Sequence, residues 1–424
     1  MTRTRPFLAA LVALVTLRPI AAEELTREFI LAHPDAVVAR VDYLGNERTR
    51  DRALSELTGL APGQRLSDID PDAIAQRVLK SGLFSEVELS CELDGEDALV
   101  SVSIREKWSL IPVPAASVGT DEWSVGLSVL ERNFLGMRYT LALSGSLSNL
   151  GPSGLVAFID PRLGGAPVSL RAFASTDRST VAAERMDGTE FASYVRTQAA
   201  GGLSVEYPSE SRLKAEANLT LRYSGVGSDE ASAYSLYEDS LDIEAGGSVT
   251  FDGQRSVDYF NAGPYCTVYY LRGFSIEGPP SFNVIGASAS WQAGIPLGGY
   301  CVVGAVGEYS GEALQDRDSL SGAGFRTLDQ SASFAKAAAA GYASLEIPFL
   351  RPSWCVMTLG VFYEAGAYLT GLEGAERSAF FHGPGASYRL YLKNVAIPAV
   401  GIDAAFNVPE RSFQGGLYIG LSLS

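Results

Sequence analysis

The sequence predicts a mainly β chain: a small β-α-α-β-β domain over residues 37–106, then a 16-stranded antiparallel transmembrane β-barrel over 107–424. Three observations predict it. Residues 107–424 carry no helical period, only period-2 alternation in segments of about ten residues. Sixteen such segments can be laid out, from 108–117 to 413–423. The connections between them sort by length, short and turn-like on one side, long and polar on the other. A soluble sandwich would also alternate, but it has no reason to sort its loops; an outer-membrane barrel does.

Taking the elements in order, residues 1–22 read as a signal peptide. Arg3 and Arg5 precede an apolar run from Phe7 to Leu17, and Ile20-Ala21-Ala22 offers small residues for cleavage. The run is shorter than the ~20 residues a spanning helix needs. Residues 23–36 read as a linker. Val37–Tyr43 alternates as a strand, and Gly45-Asn46 is turn chemistry. Thr49 is expected to cap a helix carrying Leu54, Leu57 and Leu60. Asp70-Pro71 is an N-cap followed by proline at the first helical position, and Gly82 ends that second helix. Val87–Leu93 and Leu99–Ile104 flank the turn 94–97 as the last two strands.

In the barrel region, Leu213 to Tyr223 and Leu241 to Phe251 alternate apolar with charged or small residues. The short connections include Asn133–Gly136, Gly164-Gly165, Asp252-Gly253 and Lys393-Asn394; the long ones are expected at 177–192, 226–237, 271–281 and 311–333.

Composition excludes several functions. Lys and Arg number 33 against 49 Asp and Glu, for a formal net charge of −16. So acidic a chain has no basic surface to release counterions from nucleic acid, and no nucleic-acid partner is expected. Four cysteines and two histidines, without ligand spacing, predict neither a metal nor another cofactor. No nucleophile elbow or phosphate loop occurs, so no enzyme is expected.

Several stretches resemble the BamA/TamA-type outer-membrane insertases, built of POTRA domains and a surface-antigen-type β-barrel. Gly45-Asn46 after the first strand and Gly82-Leu83-Phe84-Ser85-Glu86-Val87 before the second resemble the marks of a POTRA domain, with Phe84 and Val87 filling the gap between helix and sheet. "LSVLERNFLG" (127–136), "FIDPRLGG" (158–165), "YASLEIPFL" (342–350) and "LGVFYEAGAY" (359–368) resemble successive barrel strands and turns.

The resemblance implies an outer-membrane protein with its POTRA domain in the periplasm. Its implied partners are unfolded outer-membrane or surface-protein clients, outer-membrane lipid, and periplasmic or lipoprotein accessory factors. It also implies an arginine in the sixth outer loop paired with an acid on the thirteenth strand. Here the strand offers Glu364, and the loop reads Gly322-Ala323-Gly324-Phe325-Arg326, with the arginine after the Phe. A literal Leu271-Arg272-Gly273-Phe274 also exists, so the lock is expected to use Gly324, Phe325 and Arg326 with Glu364, Arg272 being the alternative.

A seam between the first and last strands would involve Pro112, Pro114, Leu421 and Leu423. Prolines two apart strip two donors from one edge of a strand. Either that edge faces the last strand, or the strand begins after Pro114 and the prolines stiffen a hinge. The implied function is insertion or translocation of other outer-membrane proteins; a two-partner-secretion-like transport pore and a passive surface antigen are the alternatives.

Overall fold

A computed structural model of the chain describes residues 23–118, 123–184, 190–226, 239–278, 281–310, 325–327, 335–370, 378–395 and 400–419. Residues 1–22, expected to be a signal peptide, and Gly324, Leu421 and Leu423 lie outside the described residues.

The N-terminal domain contains strands β1 (Glu23–Glu24), β2 (Val37–Leu44), β3 (Phe84–Asp94) and β4 (Asp97–Glu106) in the order β1-β3-β4-β2. Helices α1 (Arg27–Ala32), α2 (Asp51–Thr58) and α3 (Pro71–Lys80) accompany them. Residues 23–36 are therefore not a linker. Glu23 pairs with Cys91, Thr26 caps α1, and Leu25 and Ile30 are buried in the domain core.

Apolar spacing makes α2 amphipathic and buries Leu54 and Leu57. Its N-cap is Arg50, one residue later than expected. Thr49 is instead held by other partners: its N–H donates to Glu106, and its hydroxyl accepts from Asn133 Nδ2 at 2.8 Å. Asp70 does cap α3, accepting from Ala73 N at 3.2 Å. Gly45 has φ +83, and a Cβ there would lie 2.1 Å from the Ile104 carbonyl oxygen, so only glycine lets the turn after β2 pass β4. Asn46 holds the same turn through Thr49 O (3.0 Å) and Asp51 (2.6 Å). Phe84 is fully buried and Val87 partly so, both against the domain core.

The second sheet is antiparallel. Its strands are β5 (Leu110–Val118), β6 (Trp123–Phe134), β7 (Tyr139–Ser148), β8 (Gly151–Asp160), β9 (Ser169–Glu184), β10 (Glu190–Tyr207), β11 (Leu213–Val226) and β12 (Ser240–Asp252). They continue as β13 (Arg255–Val257), β14 (Phe260–Glu277), β15 (Phe282–Ile295), β16 (Gly299–Ser310), β17 (Ala335–Leu350), β18 (Cys355–Thr370), β19 (Ser378–Leu392), β20 (Val400–Asn407) and β21 (Ser412–Ile419). The strand order returns on itself, with β9 beside β10 and β21 beside β5.

This makes seventeen strands rather than the expected sixteen. The extra one is β13, a three-residue strand folded back on the start of β14, within what reads in sequence as one strand over 255–270; β12 still pairs directly with β14. The expected long loop 177–192 is mostly strand, since β9 and β10 run on as a paired ribbon to Glu184 and Glu190.

Alternation sorts the side chains. On β18, Val356, Thr358, Phe362 and Glu364 are buried, while Leu359, Val361 and Tyr363 are exposed. The exposed face continues around the sheet through Leu219, Leu221, Val268, Ile285, Trp291, Val303 and Ile402, an apolar band far beyond what a soluble sheet leaves wet.

Candidate functional site

Two features concentrate the functional signals: a loop tip seated inside the barrel, and the edge of β5.

The tip is Phe325-Arg326-Thr327, between β16 and β17. Glu364 of β18, only 2% exposed, receives four hydrogen bonds from it. Arg326 N and Thr327 N donate to Oε2 at 2.8 and 3.0 Å, Thr327 Oγ1 donates to the same oxygen at 3.0 Å, and Arg326 Nε donates to Oε1 at 2.8 Å. The guanidinium lies flat over Phe362, 3.3 Å from the ring centroid, and reaches Asp403 of β20 at 3.5 Å. Asp403 is also held by Arg389 Nη2 at 2.7 and 2.9 Å. Phe325 meets Tyr342 and Phe381 edge-on, with centroids 6.3 and 5.7 Å away.

Glycines make room for this packing. A Cβ on Gly385 would lie 2.0 Å from the Phe362 ring, and one on Gly366 would lie 2.7 Å from Phe381. A carboxylate accepting four bonds inside a protein is well compensated, and a group that stacks on a ring while donating to two carboxylates at once suits arginine. The tip thereby touches β17, β18, β19 and β20 at once.

Arg272 does not join it. It sits within β14, opposite Ala245 and Asn283, rather than in an outer loop, and it shares the exposed face with Tyr270 and Phe274. The sequence reading missed Thr327, Phe362, Arg389 and Asp403. Arg389 and Asp403 carried a signal, being charges at inward-phased positions of otherwise apolar strands. Thr327 and Phe362 carried none without the tip's placement.

At the β5 edge, strand phase decides between the alternatives for Pro112 and Pro114. The strand begins at Leu110, before both prolines, so they lie within it. Ser109 O accepts from Arg132 N of β6 at 3.1 Å, and the β5–β6 register runs without interruption from Leu110↔Glu131 to Val118↔Trp123. Successive peptide groups of a strand point to opposite neighbours. Odd positions of β5 thus face β6, and even positions face away. Trp108 N, also even, donates away from β6 to Asn394 O at 2.7 Å. Pro112 and Pro114 therefore lack their N–H groups on the side where β21 lies.

The N-terminal domain lies against the short turns below this edge. Arg50 N donates to Gly136 O at 2.9 Å, Arg132 reaches Ser81 O at 3.3 Å, and Lys80 Nζ pairs with Asp252 at 2.6 Å. Gly82, at φ +74, leaves space for the Arg132 guanidinium, which would lie 2.9 Å from a Cβ. Burial, with Arg132 nearby, holds the Lys107 ammonium below its ordinary range at this junction. Ile111, Leu130, Ala142 and Ala157 of the barrel belong to the same continuous apolar core as the domain.

Comparison with solved structures finds the same barrel elsewhere. BamA from Haemophilus ducreyi lacking POTRA domains 1–3 matches over 91% of this chain and 83% of that one, with a TM-score of 0.53 at 14% identity. The chain has the BamA/CdiB fold. CdiB from Escherichia coli matches with a TM-score of 0.62 at 13% identity, and CdiB from Acinetobacter baumannii with 0.60 at 11%; each covers 91% of this chain and 74% of the other. No family model and no curated protein matches the sequence.

Proposed function

We propose that this chain is a non-enzymatic outer-membrane protein of the BamA/TamA class, which inserts or translocates other outer-membrane or surface proteins through the β21–β5 seam. The N-terminal domain, in this reading, is the POTRA domain and lies in the periplasm. The 91% coverage supports that assignment, because the barrel region alone is three quarters of the chain.

The observation that carries the proposal is the proline edge. Two missing donors leave acceptors of the neighbouring strand without partners, at a cost of several kcal/mol each in a lipid setting unless water or another strand satisfies them. An incoming client strand brings those donors. The adjacent wall is also low. β7 and β8 have ten residues each, whereas β10 and β14 have eighteen. At ~3.3 Å per residue and a tilt of ~40°, ten residues span about 25 Å, the height of an outer-membrane barrel's apolar band, so this wall rises no further while the opposite one does.

A transport pore is the second reading, favoured by the higher TM-scores to CdiB. Cysteine pairs scanned across β5 and β21, in a background lacking Cys91, Cys266, Cys301 and Cys355, separate the two. Seam-locked protein should fail to restore outer-membrane proteins lost on depletion, and reduction should restore them. Normal restoration by a fully locked seam would reject lateral insertion and leave transport through the lumen.

A further inference from the structure

Arg272 has no role in the loop tip, yet its surroundings are unusual for a charged side chain. On β14 the residues of the exposed face are Val268, Tyr270, Arg272, Phe274 and Ile276, with Val268, Tyr270, Phe274 and Ile276 each close to half exposed. The flanking strands place Ala245 and Ile243 on one side and Asn283 and Ile285 on the other. Among the described residues the guanidinium meets the Phe274 ring, 5.5 Å from its centroid, and no carboxylate.

We propose that Arg272 and Asn283 form a docking site for the phosphate of an anionic membrane lipid. This rests on the reading of the barrel as membrane-embedded. Tyr270 Oη donates to Asn283 Oδ1 at 2.7 Å, which fixes the amide on the exposed face. Asn283 is the direct cross-strand register partner of Arg272. A fixed positive charge with a fork of N–H donors, next to a strand position that carries an amide, suits phosphate oxygens better than a neutral headgroup.

Position agrees. Arg272 lies seven residues beyond Tyr265, which faces Asp252 at the short-turn end, while Phe260–Ala262 pair back on β13. At ~2.5 Å of height per tilted residue it stands roughly 18 Å up, in the outer half of a ~25 Å apolar band and within a long side chain's reach of the headgroups. An arginine left unpaired in the apolar band would be costly, and a lipid phosphate removes that cost. The Phe274 ring keeps the side chain against the wall instead of letting it reach into water.

The test uses the full mature chain in phosphatidylcholine nanodiscs doped with lipid A, with chemically dephosphorylated lipid A, or with neither, and counts co-purifying lipid by native mass spectrometry. Wild-type protein should retain phosphorylated lipid A over the dephosphorylated form. Arg272→Gln should reduce that preference about fivefold, the usual contribution of one basic residue near an anionic surface. Asn283→Leu should reduce it less. Inorganic phosphate added in excess should not displace the lipid, because the acyl chains are part of what is held. Equal retention by wild type and Arg272→Gln, with both variants showing the heat-modifiable gel shift of a folded barrel, would overturn the site. Loss of that gel shift in wild type would instead overturn the membrane-barrel reading beneath it.

Discussion

Replacing Glu364 should release the Phe325–Thr327 tip without unfolding the barrel. The carboxylate is the acceptor for two backbone N–H groups, one hydroxyl and one guanidinium. Glu364→Ala leaves those donors facing a hole. An unsatisfied buried donor costs about 1–3 kcal/mol, and breaking a buried ion pair about 3–5 kcal/mol. These do not add, because the tip can leave; the loss is capped by the free energy that docks it. Arg326 is 24% exposed along its side chain, so water softens the charge penalty. A net loss of ~3 kcal/mol is a reasonable central value. Arg326→Ala should cost less, ~2 kcal/mol, since Glu364 keeps three of its four donors while the Phe362 contact is lost.

Amide hydrogen exchange of Arg326 and Thr327 reads this directly, as both N–H groups point at Glu364 Oε2. Exchange should speed up about a hundredfold in Glu364→Ala and roughly thirtyfold in the Thr327 amide of Arg326→Ala. A double-mutant cycle on these protection factors should give a coupling of ~1 kcal/mol or more. Unchanged protection in Glu364→Ala, or strictly additive effects, would refute the idea that this carboxylate holds the tip.

Three further outcomes follow from the geometry. Gly385→Ala should lower the thermal midpoint by displacing the Phe362 ring, a loss of ~1–3 kcal/mol, and Phe362→Leu in the same chain should recover part of it; no change in midpoint would mean the ring moves freely. Pro112→Ala with Pro114→Ala returns two donors to the seam, so the barrel should resist heat better while delivering clients more slowly; faster delivery would contradict a gating role for the bare edge. Burial pushes the Cys91 thiol up to about 11, so its folded form disfavours the thiolate. The N-terminal domain should keep the stability this thiol contributes below pH ~9 and lose it as pH rises toward 11, seen as faster exchange in β3, and Cys91→Ala should lessen that alkaline loss, the buried Tyr43 phenol supplying the rest.

Much of this architecture was legible because a barrel wall writes itself in period two. Leu213 to Tyr223 and Leu241 to Phe251 could be read as strands from alternation alone. The same logic fails at strand ends. β9 runs past the expected loop boundary through Ser175-Thr176-Asp177-Arg178-Ser179-Thr180, a run polar at successive positions that shows no alternation in sequence. β13 was invisible because three residues are too few for a period. Residues 23–36 were read as a linker because a two-residue strand and a six-residue helix earn their order from contacts with β3, not from their own pattern. The Glu364 partner was legible from motif order even with its arginine displaced. The Arg389–Asp403 pair was not, since cross-strand pairing depends on register that no single strand carries.

The two halves of the barrel differ in how firmly their strands are tied, and the difference falls at the seam. The loop tip reaches from Tyr342 on β17 through Glu364 on β18 and Phe381 on β19 to Asp403 on β20, and Arg389 fastens β19 to β20 a second time. The described side chains of this brace end at β20. The described part of β21 is held to β20 by eight register pairs, from Val400↔Ile419 to Asn407↔Ser412. On the other side of the seam, β5 is held to β6 and, through Ile111, shares the apolar core of the N-terminal domain. On the proposed reading, force applied to the barrel should separate β21 from β5 first, because the β5 edge facing β21 lacks two donors. A lock that braces β17 to β20 should then keep that opening local.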